Sequence, residues 1–278
     1  MRVLILGASG YLGRTVAHRL RKDHEVYGTF HAQATRYGDK NNMFQLDLGD
    51  TNSMRAILDK VRPQIIISCL GGDFKLQLHA HDEIANYIVN ENFRKIIYIS
   101  SANVFDAADE SPHYEWDKTF AQSDFGNFKI QCERILVNKL GERCVIIRIP
   151  EIWGKDCPRI SKLIEDTQNN IPVVTYPNLY VNYTTNIQIA EWIHYIIVEN
   201  LTGIFHVGTK DTYDYMNFQS QLCTILDLKK PTFKGETAMQ RLYQAVLPGR
   251  REIPEKWQMK VTDVLRFLGR VQKRKSPL

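Results

Sequence analysis

The sequence predicts an α/β protein: a Rossmann-type doubly wound parallel sheet with a smaller C-terminal substrate lobe. Three observations predict this fold. Short apolar runs alternate with amphipathic stretches, the runs are apolar almost throughout, and a glycine-rich segment joins the first run to the first amphipathic stretch. Continuous apolar runs are typical of parallel strands that are covered by helices on both faces. Strand–helix alternation in turn predicts right-handed crossovers.

The predicted strands are rich in Val and Ile, and they lie at 2–6, 25–30, 43–46, 64–69, 94–100 and 144–149. Helices are predicted between most of them, at 11–22, 51–61, 76–92 and 120–140. After about residue 150 the alternation loosens, and we expect a helix at 158–169, a helix at 185–200, a strand at 203–207 and a helix at 214–227.

This pattern predicts two domains. A cofactor-binding domain spans 1–150 and is completed by elements within about 184–208, and a smaller substrate-binding lobe spans 151–183 and 209–278. Ligands in open α/β folds bind beyond the carboxyl ends of the strands. The site is therefore expected in the cleft between the two lobes.

The segment Gly7–Gly13 reads G-A-S-G-Y-L-G and stands between the first predicted strand and the first predicted helix. Glycines there permit a tight turn and let the backbone approach a pyrophosphate, which rests on the positive end of the helix. A glycine-rich turn without a ligand is the alternative. The dinucleotide interpretation assigns cofactor contacts to Gly7, Ser9, Gly10, Tyr11, Leu12, Gly13 and Arg14.

The end of the second predicted strand bears on the choice between NAD and NADP. NAD-binding proteins usually place an acid there to hold the ribose 2′-OH. This chain has no acid between Tyr27 and Asp39, whereas His31, Arg36 and Arg14 are cations in or near that region. NADP is therefore favoured and NAD is left open. Each of these cations taken alone is typical of a solvated surface.

Composition excludes several classes. No apolar run approaches the roughly 20 residues of a membrane span. The five cysteines and the histidines show no metal-ligand spacing, so no metal is expected. The net charge of +5 equals the basic residues of 264–278, which we expect to be a solvated terminus, with a phosphate or subunit contact as the alternative. Nucleic acid is not expected as a partner. Because the first strand begins almost at Met1, a cytoplasmic location is expected.

Several segments together resemble the extended short-chain dehydrogenase/reductases, and among them most closely the dTDP-4-dehydrorhamnose reductases, which are NAD-dependent epimerase/dehydratase-like proteins. The resemblance rests on the G-x-x-G-x-x-G spacing, on Leu46-Asp47-Leu48 and on I-S-S-A-N-V-F-D at 99–106. Residues 148–154 resemble an R-x-x-x-x-Y-G stretch, and 203–208 resemble a G-I-F-H-x-x-G strand. The resemblance spans roughly 1–210. It implies an NAD(P)-dependent reductase of a nucleotide-activated 4-keto sugar.

The resemblance also assigns roles to single residues. It gives Ser101 as the hydroxyl that hydrogen-bonds the substrate carbonyl, and Lys129 as the residue that binds the nicotinamide ribose and lowers the pKa of a partner tyrosine. The position of that tyrosine, four residues before the lysine, is Phe125 here. The resemblance further extends the cofactor contacts to Asp47, Leu48, Cys69, Leu70 and Gly71.

Phe125 has no proton to give to the alkoxide that hydride transfer leaves. General acid catalysis contributes about 10²- to 10⁴-fold, so its loss slows the reaction without abolishing it. Three interpretations stay open. The protein is a catalytically silent cofactor binder, or Asp124, Ser123, Tyr114 or a water replaces the phenol, or the register is shifted and Phe125 is a core residue.

Four further positions allow more than one interpretation or depart from the family pattern. Asn103 replaces an aromatic residue of the related segment, and Gln188 replaces an acid, unless Gln188 is only a solvent-facing helix residue. Glu115 belongs to a loop that is either simply exposed or lines the substrate cleft. His206, within an apolar strand, is expected to be a hydrogen-bonded core histidine.

Two functions follow from these observations. The first is the reductase with an atypical proton donor, acting on a small-molecule substrate. The second is a catalytically silent NAD(P)-binding regulator or subunit, since this fold serves more than one purpose. A homodimer is left open in either case.

Overall fold

The computed structural model describes residues 1–32, 42–91, 94–235 and 240–273. Strands and helices alternate through the first half of the chain as the sequence predicts. They are β1 (Arg2–Leu6), α1 (Tyr11–Leu20), β2 (Glu25–Phe30), β3 (Met43–Gln45), α2 (Thr51–Val61), β4 (Ile65–Ser68), α3 (Phe74–Val89), β5 (Lys95–Ser101), α4 (Asp124–Leu140) and β6 (Cys144–Ile149).

The second half adds shorter elements. They are β7 (Glu151–Trp153), α5 (Pro158–Gln168), β8 (Val173–Val174), β9 (Leu179–Val181), β10 (Tyr183–Thr185), α6 (Asn186–Val198), β11 (Gly203–His206), β12 (Tyr213–Asp214), α7 (Tyr215–Ile225), β13 (Phe233–Lys234), β14 (Leu242–Gln244) and α8 (Val261–Lys273).

Seven strands form the central sheet, in the order β11-β6-β5-β4-β1-β2-β3. The pairs β1–β2, β1–β4, β2–β3 and β4–β5 are parallel. Every residue of β4 and of β6 is buried, as expected for strands that are covered on both faces. The order 3-2-1-4-5-6 within this sheet is that of a Rossmann-type doubly wound fold, so the predicted fold class is confirmed.

The helix starts explain why the chain turns where it does. The Asp50, Asp73 and Ser123 side chains cap α2, α3 and α4 by accepting hydrogen bonds from backbone N–H groups of the first turn. Helices α3 and α4 pack against the sheet through apolar faces, and their buried side chains include Ile84, Ile88, Phe128 and Leu136.

The C-terminal segment differs from the expected solvated terminus. Residues 261–273 form α8, whose Val261, Val264, Leu265 and Leu268 are buried at the spacing of one helix face. Arg266 on this helix pairs with Asp263 at 2.7 Å. The expectation of a solvated terminus is therefore wrong for α8. The segment contains apolar residues at helical spacing as well as basic ones, and the apolar residues are buried. Arg274 and Lys275 fall outside the described residues.

The fold consists of two compact units, each built from three chain segments. Unit 1 comprises 1–104, 121–148 and 189–205. It contains the central sheet and the helices α1 to α4 that alternate with its strands. Unit 2 comprises 105–120, 149–188 and 206–278. Three small sheets belong to it, β10-β7, β12-β9-β14 and β13-β8. The segment 105–120, predicted as part of the cofactor-binding domain, lies in unit 2.

None of the described helices is both long and apolar enough to cross a membrane. Within the same residues, no three His, Cys, Asp or Glu side chains are grouped so that they could hold a metal ion.

Candidate active site

The glycine-rich loop joins β1 to α1 and contains backbone that only glycine accommodates. Gly7 has a φ of 77°, and its N–H donates to the Thr29 Oγ1 at 2.9 Å. A Cβ atom on Gly7 would lie 2.6 Å from the carbonyl oxygen of Cys69. The loop is thus pressed against the end of β4, and neither the φ nor the space permits a side chain.

The start of α1 is open to an anion. Gly10 is the N-cap residue, and no side chain caps the helix there. A Cβ on Gly13 would lie 2.2 Å from the carbonyl oxygen of Gly7, so the helix and the loop touch through backbone atoms alone. Amide groups at such a helix end attract negative charge. The loop therefore fits the pyrophosphate of a dinucleotide.

Gly28 is a third glycine on which the loop depends, and it was not among the predicted site residues. A Cβ there would lie 2.5 Å from the Cβ of Ala8 and 2.8 Å from the Met43 Sδ. Glycine within a strand often marks a close approach of another backbone, and that signal was present in the sequence. Gly28 lets the loop lie directly on β2.

The end of β2 shows no carboxylate among the described residues. His31 and Ala32 follow Phe30 and are exposed, and Arg14 in α1 is half-buried. Arg36 lies outside the described residues, so its predicted part in NADP recognition stays a prediction.

The remaining predicted cofactor contacts follow β3 and β4. Asp47 is exposed and accepts a hydrogen bond from the N–H of Gly49 at 2.9 Å, whereas Leu48 packs against the core. Cys69 is half-buried, and burial raises the pKa of its thiol to about 12. Gly71 is exposed, and a Cβ on it would meet nothing within 4 Å. The backbone of Cys69 lies against the glycine loop, whereas no neighbouring atom would restrict a side chain at position 71.

Ser101 ends β5, where the resemblance assigns a substrate-binding hydroxyl. Its Oγ donates to the Asn103 Oδ1 at 2.9 Å and accepts from the Asn103 N–H at 3.2 Å. Ser101 and Asn103 are both half-buried. The residue that departs from the family pattern thus orients the serine hydroxyl.

Phe125 lies in the first turn of α4 and is not a core residue. Its side chain is 38% exposed, and its ring lies 5.9 Å from Phe74 and 6.3 Å from Phe128, centre to centre. Asp124 is exposed, and the Ser123 Oγ accepts a hydrogen bond from the Gly126 N–H at 2.9 Å. Two candidate replacements for the phenol therefore lie in unit 1: Asp124 faces solvent, and Ser123 caps α4. Tyr114 belongs to unit 2.

Lys129 follows Phe125 by four residues and is nearly inaccessible, with 8% exposure. Its Nζ donates to the carbonyl oxygen of Ile99 at 3.0 Å. It also lies 4.9, 5.6 and 5.4 Å from the ring centres of Tyr98, Phe125 and Phe128. Burial lowers the pKa of Lys129 to about 8, because desolvation disfavours the ammonium.

A buried ion pair holds α4 to the sheet, and no sequence motif predicted it. Arg148 on β6 donates to both carboxylate oxygens of Glu133, at 3.1 and 2.8 Å. The Ser100 Oγ donates to the same carboxylate at 2.5 Å. Glu133 and Arg148 lie 15 residues apart on different elements, so no spacing in the sequence signals the pair. This pair fixes the helix that presents Phe125 and Lys129.

Three residues of unit 2 that the sequence left ambiguous, or expected in the core, are buried and hydrogen-bonded. Gln188 donates to the carbonyl oxygen of Trp257 at 3.3 Å, so the solvent-facing interpretation is wrong. The Glu115 carboxylate accepts from the N–H groups of His206 and Gly249 at 3.1 and 3.0 Å. Glu115 is therefore an internal tether and not a loosely exposed loop residue. His206 is fully buried with its Nδ1 3.1 Å from the carbonyl oxygen of Leu247, as expected for a core histidine.

Two curated relatives give a mixed picture of function. Methionine adenosyltransferase 2 subunit beta of Xenopus tropicalis is 28% identical over 174 residues, which cover 58% of this chain and 49% of that protein. The match thus spans about half the length of the frog protein. The dTDP-4-keto-6-deoxy-D-glucose reductase of Streptomyces niveus is 24% identical over 228 residues, covering 77% of this chain and 75% of that enzyme.

Solved structures share the fold over the whole chain. A dTDP-4-dehydrorhamnose reductase of Bacillus anthracis, crystallised with NADP, superposes with a TM-score of 0.77 at 16% identity and covers 99% of both chains. The enzyme WbmH of Bordetella bronchiseptica, crystallised with NAD⁺, gives a TM-score of 0.81 at 13% identity, covering 100% of this chain and 99% of that one. A family model, described as the NAD dependent epimerase/dehydratase family, matches residues 3–195, which is more than half of the chain. The chain belongs to the NAD dependent epimerase/dehydratase family.

Proposed function

We propose that this protein uses NADP(H) to reduce the keto group of a nucleotide-linked sugar, with a proton source other than residue 125. The observation that supports this most is the glycine loop, where Gly7 and Gly13 have no room for a Cβ and an uncapped helix faces an anion. The name of the Streptomyces relative indicates the class of substrate, a dTDP-linked 4-keto-6-deoxy sugar. The Bacillus structure supports NADP as the cofactor.

Backbone groups and side chains of unit 1 would bind the cofactor and polarise the substrate. The backbone around Gly7, Gly10 and Gly13 binds the pyrophosphate, and Lys129 binds the nicotinamide ribose. Once bound, the reduced nicotinamide supplies the hydride. The Ser101 Oγ–H turns from Asn103 toward the substrate and donates to its carbonyl oxygen, which polarises the C=O bond. Asn103 keeps the serine oriented through its own N–H.

The preference for NADP over NAD rests on charge. A carboxylate at the end of β2 would repel a 2′-phosphate, and the described residues there include none. The half-buried Arg14 follows Gly13 on the helix that faces the cofactor, and no carboxylate among the described residues pairs with it. Arg14 is therefore available to a phosphate.

A second function is favoured by one specific observation, the missing phenol. Phe125 fills the tyrosine position with a ring that contacts Phe74, and no oxygen replaces the hydroxyl on that side chain. The frog relative is named as a subunit of another enzyme. On this alternative the protein binds the dinucleotide without turning over a sugar.

NADPH consumption separates the two functions. Wild type, Phe125→Tyr and the control Phe120→Tyr would be mixed with NADPH and a dTDP-4-keto-6-deoxy sugar, and binding of NADPH would be measured in parallel by calorimetry. Phe120 is 63% exposed and lies in unit 2, so its variant adds a phenol elsewhere. We expect slow turnover by wild type and the control, and about 10²- to 10⁴-fold faster turnover by Phe125→Tyr.

Two other results would change the assignment. If all three proteins bind NADPH and none consumes it, the reductase proposal is wrong and the silent binder is favoured. If only Phe125→Tyr turns over, the site is intact apart from its acid, and the natural protein binds without reducing.

A further inference from the structure

Lys129 occupies an unusual place for an ammonium group. Only 8% of the residue is exposed, and the hydrogen bond to Ile99 uses one of its three N–H groups. Three aromatic rings surround the Nζ at 4.9 to 5.6 Å and compensate part of the lost hydration. No carboxylate among the described residues lies within ion-pair distance of it.

The groups that face Lys129 leave its charge largely unbalanced. Cys69 at the end of β4, Tyr98 on β5 and Cys132 on α4 are neutral, because burial raises the pKa of each. His81 on α3 is neutral as well, because burial lowers its pKa to about 4. The field of the Glu133 carboxylate raises the pKa of Lys129 slightly, but this carboxylate is already bound by Arg148 and Ser100. The ammonium form of Lys129 is therefore less stable than that of an exposed lysine, and it loses its proton more readily.

The position of the Nζ matters as much as its surroundings. Its acceptor, Ile99, lies two residues before Ser101 on β5, a separation of about 7 Å along a strand. Phe125 lies one helical turn before Lys129, on the same face of α4. The ammonium therefore lies 5.6 Å from the ring centre of Phe125, where the phenol is absent, and it contacts the same strand that carries the predicted carbonyl-binding serine.

We propose that Lys129 is the proton donor of the reaction, directly or through one water. This inference rests on the proposed reductase function. Hydride from the reduced nicotinamide adds to the carbonyl carbon, and the C=O π pair becomes a lone pair of the alkoxide. An N–H bond of Lys129 breaks as the O–H bond forms, and the neutral amine then takes a proton from solvent.

A pKa near the working pH suits this role, since a donor is most effective when its protonated form is present and its proton leaves easily. The burial that lowers the Lys129 pKa to about 8 brings it into that range. An ordinary lysine, with a pKa of about 10.4, would be a poorer acid.

The first test needs no turnover. Protein labelled with ¹³C at lysine Cε would be titrated by NMR between pH 6 and 11, and the Lys129 resonance would be assigned from its absence in Lys129→Arg. We expect a midpoint near 8, with the other lysines as internal references. A midpoint at or above about 10 would overturn the inference whatever the activity.

The second test is chemical rescue. Lys129→Ala removes the side chain and leaves space for a small amine, so methylamine and weaker amines would be added during NADPH consumption. We expect Lys129→Ala to lose at least 100-fold in kcat, and rescue that varies with the pKa of the added amine. In wild type, kcat should fall as pH rises through about 8, and Lys129→Arg should lack that fall.

The outcomes separate this inference from the function on which it rests. If wild type turns over and its pH profile is unchanged in Lys129→Arg, the reductase stands and Lys129 is not the donor. If rescue is equal for all amines, Lys129 only positions other groups. If neither wild type nor Phe125→Tyr consumes NADPH although both bind it, the proposed function itself fails, and the proton-donor role fails with it.

Discussion

The glycine loop and the first turn of α4 both belong to unit 1, and they differ in how they tolerate change. In the loop, a Cβ on Gly7 or Gly13 would overlap backbone oxygen atoms, so almost any substitution must move the main chain. At the start of α4, a tyrosine and a phenylalanine fit the same half-exposed space, and they differ by one hydroxyl. The geometry of the glycine loop is therefore built into backbone packing, whereas a hydroxyl group at position 125 can be lost with little effect on folding.

The largest effect is expected from a substitution that removes the ion pair holding α4 to the sheet, because it lowers the free energy of unfolding without changing Phe125 or Lys129. Glu133→Gln would leave Arg148 buried without its carboxylate, and we expect a loss of about 3–5 kcal/mol in the free energy of unfolding. Urea unfolding would measure it. Asp59→Asn, which breaks the exposed pair with Arg55, is the control and should cost less than about 1 kcal/mol. Equal losses in both variants would mean that α4 is not held by this pair.

The pH dependence of stability tests the neighbouring helix α3. His81 is buried and neutral, with a pKa lowered to about 4, whereas in the unfolded chain it titrates near 6.5. The unfolded state therefore binds more protons between these values, so stability is complete above about 6.5 and is lost as pH falls toward 4. The shift corresponds to about 3 kcal/mol.

Urea unfolding between pH 7 and 4.5 would show this loss in wild type and a shallower one in His81→Gln. His79→Gln is the matched control, because His79 is exposed and lies two residues away on the same helix. A slope in His81→Gln as steep as in wild type would contradict the assignment.

The glycine loop is tested by the smallest substitution available. A methyl group on Gly13 would lie 2.2 Å from the carbonyl oxygen of Gly7, so Gly13→Ala must displace the loop. We expect NADPH to bind at least about 100-fold more weakly, a difference of about 2.7 kcal/mol. Gly141→Ala is the control, because its φ of 54° penalises alanine at the far end of α4. It should lower the melting temperature and leave the Kd unchanged.

The smallest expected effect concerns cofactor choice. Arg14→Ala should weaken NADPH binding about 10-fold, or about 1.4 kcal/mol, and leave NADH binding unchanged. Lys22→Ala removes an exposed cation just after the same helix and should change neither value. If Arg14→Ala weakens both cofactors equally, Arg14 does not read the 2′-phosphate. Calorimetry with each nucleotide distinguishes these results.

The regular half of the fold was predictable from the sequence because its signals are local. Hydrophobic periodicity located the strands and helices of unit 1 to within a few residues, and the helix starts differ mainly where Asp73 and Ser123 act as caps. The strand–loop–helix context of Gly7–Gly13 was likewise visible in the sequence.

Tertiary pairing explains what was missed. Strands of two or three residues, such as β8 and β12, exist only because a distant segment pairs with them. The bidentate contact between Glu133 and Arg148 joins residues from different elements, and the burial of Gln188 depends on Trp257. None of these contacts has a periodic signature. The role that we propose for Lys129 likewise depends on burial, which a single sequence does not reveal.

Because the two units alternate along the chain, a truncated fragment cannot contain one complete unit alone. The main chain passes from one unit to the other five times, after residues 104, 120, 148, 188 and 205. A fragment ending at residue 150 therefore lacks α6 and β11, and β6 becomes an unprotected edge strand whose six residues are all normally buried. Exposed apolar edges of this kind pair with other chains. Such a fragment should aggregate, so isolated halves of this protein are poor reagents for measuring cofactor binding.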